Sequence, residues 1–142
     1  MAGEITQPTV TVGPADLIYR GINPQYYQQG QLTSGVFVLK RKHTLEQGPS
    51  VGIARLIPLA SFHPLMGDGW GVGAFDASVP QSQTLAVHPL PDPRWKEYVH
   101  AHAVITEYQK LSDKRRTDVE RVLRDALQKN ILIKPTEPAT TK

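Results

Sequence analysis

Cysteine is absent from this 142-residue chain, which excludes disulfides, thiolate metal ligands and cysteine nucleophiles. Long hydrophobic runs are missing too. No stretch approaches the ~20 apolar residues of a membrane span. Met1-Ala2-Gly3-Glu4 lacks the basic and apolar regions of a signal peptide, so a soluble, cytoplasmic protein is expected. Charge of one sign is also scarce. Sixteen Lys and Arg stand against thirteen Asp and Glu, a net +3. Five basic and four acidic residues precede Val72, and eleven and nine follow, so neither half is the concentrated basic domain that marks a nucleic-acid binder.

What is present fits one small domain. A chain of this length buries roughly two thirds of its unfolded surface, enough for one core. Eleven glycines and twelve prolines interrupt it often and argue against a long helical bundle. Residues 1–14 read as a polar, flexible leader and 134–142 as a flexible tail around a single globular domain at 15–133.

Local pattern then divides the domain. The first ordered element is expected from Asp16 to Ile22, ended by Asn23-Pro24, because proline drives its predecessor out of the helical region. Gly35 to Lys40, with its β-branched and aromatic residues, reads as a strand. Ser50 to Ile57 fits a strand or a short helix, and Pro58 closes either. Trp70 to Phe75 and Gln83 to Val87 are further short strands. Val99 to Ile105 alternates and is expected as a strand, with His100, His102 and Val104 on one face. The firmest prediction is a helix from about Ser112 to Lys129, with Val119, Val122, Leu123, Ala126 and Leu127 forming one apolar stripe. Ser112 starts it, with Thr117 and Glu120 as a second capping-box start, and Asn130 ends it. Glu120–Arg124 and Arg121–Asp125 suit a solvated opposite face. Five or six short strands with one main amphipathic helix near the C-terminus give an α+β fold around a mostly antiparallel sheet.

The most chemical feature is His100-Ala101-His102, two imidazoles that a strand would place on one side, able to act together on a phosphate. With Glu107 the run becomes His-x-His-x4-Glu, which resembles the first metal motif of cupins over about eight residues; Arg94 and Lys114 stand where that motif has bracketing glycines. No third histidine is tied to it by spacing, although His63 and His88 are available, and no metal or cofactor is expected. A second resemblance joins Tyr19-Arg20-Gly21, Thr33-Ser34-Gly35 and Glu107 to the Arg, Ser and Glu of some ADP-ribosyltransferases. There, Arg and Ser strands cradle NAD and the Glu orients the nucleophile or a ribose hydroxyl. Only fourteen residues separate Arg20 from Ser34, and the Glu-x-Glu variant is absent. Serine hydrolysis lacks a Gly-x-Ser-x-Gly elbow at any of the serines, Ser50 among them.

Other segments suggest binding. Glycine at every second position from Gly67 to Gly73 allows close backbone approach to a ligand, with Trp70 as a contact surface. Basic clusters lie at Lys40-Arg41-Lys42 and Lys114-Arg115-Arg116, the latter opposing the dipole of its own helix. Tyr26 and Tyr27 offer an aromatic contact. The leading expectation is a non-enzymatic binding or accessory module that engages a protein partner, with nucleic acid as an alternative partner and the oligomeric state open. The first alternative is a small enzyme acting on a phosphate or nucleotide through His100, His102 and Glu107. The second is a structural subunit of a larger assembly.

Overall fold

The computed structural model describes residues 11–37 and 48–136. Its strands are β1 (Leu17–Ile22), β2 (Tyr27–Gln28), β3 (Gln31–Leu32), β4 (Ser50–Ile53), β5 (Gly71–Asp76), β6 (Ala86–Pro89), β7 (His102–Thr106) and β8 (Ile131–Ile133). Its α-helices are α1 (Leu59–Phe62), α2 (Ser78–Ser82) and α3 (Asp113–Gln128), with 3-10 turns between elements. Six strands form one sheet in the order β6-β7-β4-β1-β5-β8, every neighbour antiparallel, and β2–β3 make a separate small hairpin. The fold is α+β, as the hydrophobic patterning implies.

Strand alternation sorts side chains to two covered faces of the sheet. Ile18, Ile22, Val51, Ile53, Phe75, Ala103 and Ile105 meet Val119, Leu123 and Leu127 of α3. Tyr19, Val72 and Ala74 turn the other way and pack with Ile57, Phe62, Trp95 and Ala101 from the connecting segments. Val119, Leu123 and Leu127 are wholly shielded from solvent, each contributing about 1.5–3 kcal/mol of apolar burial. Val122 remains over a third exposed, so the apolar stripe is narrower than its sequence spacing implies.

The glycines make the close packing of both layers workable. A Cβ at Gly52 in β4 would stand 2.6 Å from the Phe62 ring, and one at Gly73 in β5 would stand 2.6 Å from a methyl of Leu127. The alternating glycines therefore admit the protein's own side chains.

Several boundaries differ from the sequence pattern. Gly35 to Lys40 does not begin as a strand: Ser34–Phe37 is a 3-10 turn that tucks Val36 and Phe37 into the core, and residues 38–40 lie outside the described residues. Ser50 to Ile57 resolves as both options in succession, β4 followed by a 3-10 turn at Ala54–Leu56. Val99 to Ala101 belong to the 3-10 segment Pro93–Ala101 rather than to β7. That segment buries Trp95 and Ala101 beneath the second face, which a continuous strand from Val99 would prevent. Helix α3 starts at Ser112, whose Oγ accepts from Arg115 N at 3.2 Å, while Thr117 sits inside and donates to Asp113 O. Lys129, not Asn130, is its C-cap; Asn130 uses its carbonyl to accept from Ala74 N of β5.

Candidate functional site

His102 opens β7 with its ring pointing into the second core, 4% exposed and edge-on to Trp95 at 4.8 Å between centroids. Gly52 is its cross-strand partner in β4. Two residues before Gly52 in β4, Ser50 is exposed and places its Oγ 2.6 Å from His102 Nε2. On the far side of the ring, Nδ1 lies 2.6 Å from the carbonyl oxygen of Leu90. A carbonyl only accepts, so in the neutral ring Nδ1 carries the proton and Nε2 offers a lone pair. Ser50 Oγ–H must then donate to Nε2. A solvent-facing hydroxyl is thereby aimed at a buried base, whose tautomer and orientation are fixed from behind.

The backing segment is itself tied by backbone hydrogen bonds. Leu90 N donates back to His102 O at 2.9 Å, and Asp92 N donates to Val99 O at 3.0 Å. Asp92 is buried and forks with the Arg94 guanidinium at 2.7 Å. The Arg94 hydrogen bond holds its carboxyl below the usual range, and a charged His102 ring favours the same ionised form.

On the α3 side of the sheet, Arg20 rises from β1 beneath the start of β4. Its Nη1 donates to Ser50 O and its Nη2 to Val36 O, each at 2.8 Å, and its guanidinium carbon sits 5.1 Å from the Phe37 ring centroid. Nε is buried without a hydrogen-bond partner. Burial pulls the Arg20 pKa down to about 10, which leaves it a cation at neutral pH.

Nearby, the Tyr108 hydroxyl lies 2.8 Å from Phe37 O and 2.9 Å from Glu120 Oε2. The phenolic O–H is the donor to both oxygens, so one proton is shared between two acceptors. Desolvation by burial raises the Glu120 pKa, against the lowering effect of the hydrogen bond that Tyr108 donates. Burial likewise pushes the Tyr108 phenol up. Glu120 therefore packs inward rather than pairing with Arg124 on a solvated face. On that face Arg121 pairs with Asp118, and Arg124 with Asp125.

The residues singled out from sequence are not gathered. His100 sits half-buried in the 3-10 segment while His102 points inward from β7, so the shared strand face expected for them does not form. Glu107 takes a left-handed backbone conformation and pairs with Lys110 at 2.7 Å, away from both histidines. Lys40, Arg41 and Lys42 lie outside the described residues. Of the other basic cluster only Lys114 is exposed. Arg115 Nη2 donates to Gln83 Oε1, and Arg116 reaches Asp113 and Leu111 O. Tyr27 is core and Tyr26 is half-buried against the turn at Gly35. Trp70 is half-buried, with its indole nitrogen 2.8 Å from where a Gly67 Cβ would stand, and Trp70 O contacts His63 Nε2 at 2.7 Å.

Ser50 and Arg20 are the participants that sequence reasoning missed in this role. Arg20 carried a usable signal, a lone cation inside the apolar run Leu17–Ile22. Ser50 carried none, because nothing local ties it to a histidine 52 residues away. A separate open cavity of about 490 Å³ is lined by Tyr27, Gln29, Gly30, Lys134 and Pro135 and includes none of these groups. Among the described residues no group of three or more His, Asp or Glu is arranged to hold a metal ion. No helix there is long and apolar enough to cross a membrane. Compared with known proteins, the chain matches no family model, no curated protein and no solved structure.

Proposed function

We propose that this protein is an enzyme of the serine-nucleophile type, transferring an acyl or phosphoryl group from an ester to water. The observation that carries the reading is the Ser50–His102–Leu90 relay: 2.6 Å from hydroxyl to Nε2, and 2.6 Å from Nδ1 to a carbonyl that fixes the tautomer. Ser50 Oγ attacks the carbonyl or phosphoryl centre, and its proton passes to His102 Nε2. The imidazolium keeps its Nδ1–H on Leu90 O and gives the Nε2 proton to the departing alkoxide. Water then attacks the Ser50 ester and gives one proton to His102 Nε2, which returns it to Ser50 Oγ as that bond breaks.

The accessory-module reading has less physical support. Two of the three cations at the start of α3 are engaged within the chain, and Tyr27 is buried.

Diisopropyl fluorophosphate tests the proposal. Its phosphorus forms a bond to Ser50 Oγ as fluoride leaves, and intact mass with peptide mapping reads the adduct. Modification at Ser50 that disappears in Ser50→Ala and in His102→Gln is expected. His102→Gln keeps a polar group at the site, and thermal melts report whether it remains folded. A folded wild-type protein that gains no adduct at Ser50 overturns the proposal, leaving the relay as a structural tie between β4 and β7.

A further inference from the structure

The β2–β3 hairpin turns on Gln29 and Gly30, with Tyr27 opposite Leu32 and Gln28 opposite Gln31. Both turn residues take positive φ, 52° and 77°, as a tight two-residue hairpin requires. The Gln128 side chain of α3 clamps this hairpin at two points. Its Oε1 accepts from Leu32 N at 2.6 Å, and its Nε2 donates to Gly30 O at 3.0 Å. The segment after β8 is tied as well. Thr136 N donates to Gly69 O at 2.8 Å, and a Cβ at Gly71 would stand 2.5 Å from the Pro135 nitrogen. The hairpin and this segment together line the cavity of about 490 Å³, so both of its walls are held by bonds made elsewhere.

The lining holds one charged side chain, Lys134, and no carboxylate. Lys134 is exposed and pairs with no acid among the described residues. Tyr27 is 4% exposed, yet its hydroxyl has no hydrogen-bond partner among the described residues. That hydroxyl is the nearest atom to where a Gly30 Cβ would stand, at 4.0 Å, which puts it at the wall that Gly30 and Tyr27 share. A buried phenol ordinarily finds a partner, and the cavity is the space left for one. Its volume falls in the range of about 300–1,000 Å³ that small-molecule sites occupy.

We propose that this cavity binds a small organic anion, a carboxylate or a phosphate ester, whose charged oxygens meet Lys134 and the Tyr27 hydroxyl while its carbon part lies against Pro135. The donor set selects the ligand. An ammonium has only protons to give, the phenol has one unused among the described residues, and charge-assisted hydrogen bonds are the strong ones. Gln29 lines the same space and adds an amide for a neutral polar group. The site lies apart from Ser50 and His102 and stands whether or not Ser50 reacts.

Titration with benzoate, phenyl phosphate and phenol at constant ionic strength, followed by 1H–15N amide spectra, tests the site. Both anions are expected to give saturable shifts at Gln29, Gly30 and Lys134, at concentrations several-fold below those that phenol needs. Lys134→Gln removes the charge at an exposed position and is expected to bring the anions down to the affinity of phenol. Tyr27→Phe keeps the ring and loses the hydroxyl, and is expected to weaken both anions several-fold; thermal melts report whether it is folded. If it is not, the wild-type and Lys134→Gln titrations decide alone. Saturable shifts with one anion only support the site and identify its ligand class. A protein whose amides there are shifted by neither anion overturns the site. Phenol binding as tightly as the anions, or Lys134→Gln binding them as wild type does, overturns the anion assignment.

Discussion

Replacing Tyr108 by Phe removes one oxygen from a fully buried position, and the structure sets what that costs. The hydroxyl is the partner of both the Phe37 carbonyl and the Glu120 carboxyl. Without it two buried acceptors lose a partner, at about 1–3 kcal/mol each, so the expected loss is about 2–6 kcal/mol. For a domain of this size that lowers the melting temperature by roughly 7–20 °C. Glu120→Gln is the informative companion. A side-chain amide keeps an oxygen that accepts from Tyr108, so the contact survives without an ionisable group. The sign follows from the direction of the shift. The Glu120 pKa is raised above its ordinary value of 4.5 in the folded state, so its contribution is complete below pH 4.5. It is lost as pH rises through the folded pKa. Above that point Glu120→Gln should therefore equal or exceed wild type in stability, and its profile should be flatter. Thermal and urea melts by circular dichroism, recorded from pH 4 to pH 8, measure both effects. A Tyr108→Phe loss below about 0.5 kcal/mol, the range of ordinary surface changes, refutes the hydrogen-bond count. So does a Glu120→Gln variant whose pH profile matches wild type.

Two further outcomes test the packing. Gly52→Ala introduces a methyl 2.6 Å from the Phe62 ring and should destabilise by about 1–3 kcal/mol through overpacking. Gly13→Ala, with its nearest neighbour at 3.9 Å, should be close to neutral, and equal denaturation midpoints for the two would contradict the packing described. Ser112→Ala removes the α3 cap and should cost about 1 kcal/mol, whereas Thr117→Ala should cost less; urea midpoints in the reverse order would place the helix start at Thr117.

The amphipathic stripe of α3 was legible because Val119, Leu123 and Leu127 recur at the helical period and all bury. The strands at Leu17–Ile22 and Gly71–Asp76 were legible from their apolar runs. The segment Val99–Ala101 was not. It alternates like a strand, but burial of Trp95 and Ala101 from a 3-10 segment outweighed the local pattern. Glu120 looked like half of a solvated pair, since spacing on a helix does not reveal that a phenol from a preceding turn lies opposite. The candidate site was the least legible part. Of its members only His102 stood out, and for the wrong partner. The distance from Ser50 to His102 is set by the pairing of β4 with β7 and by the turn that brings Leu90 behind the ring, and neither is a property of a short stretch of sequence.

The strand order also governs how the chain assembles as it is made. β1 emerges first, yet it lies in the interior of the sheet between β4 and β5, and both outer strands come from the second half of the sequence. Leu17–Ile22 must therefore wait for neighbours that a ribosome supplies only later, holding apolar backbone edges unpaired meanwhile. Deletions that reach β1 would divide the sheet through its interior, whereas loss of β8 would trim an edge. A fusion or label is accordingly better borne after residue 136 than close to Leu17.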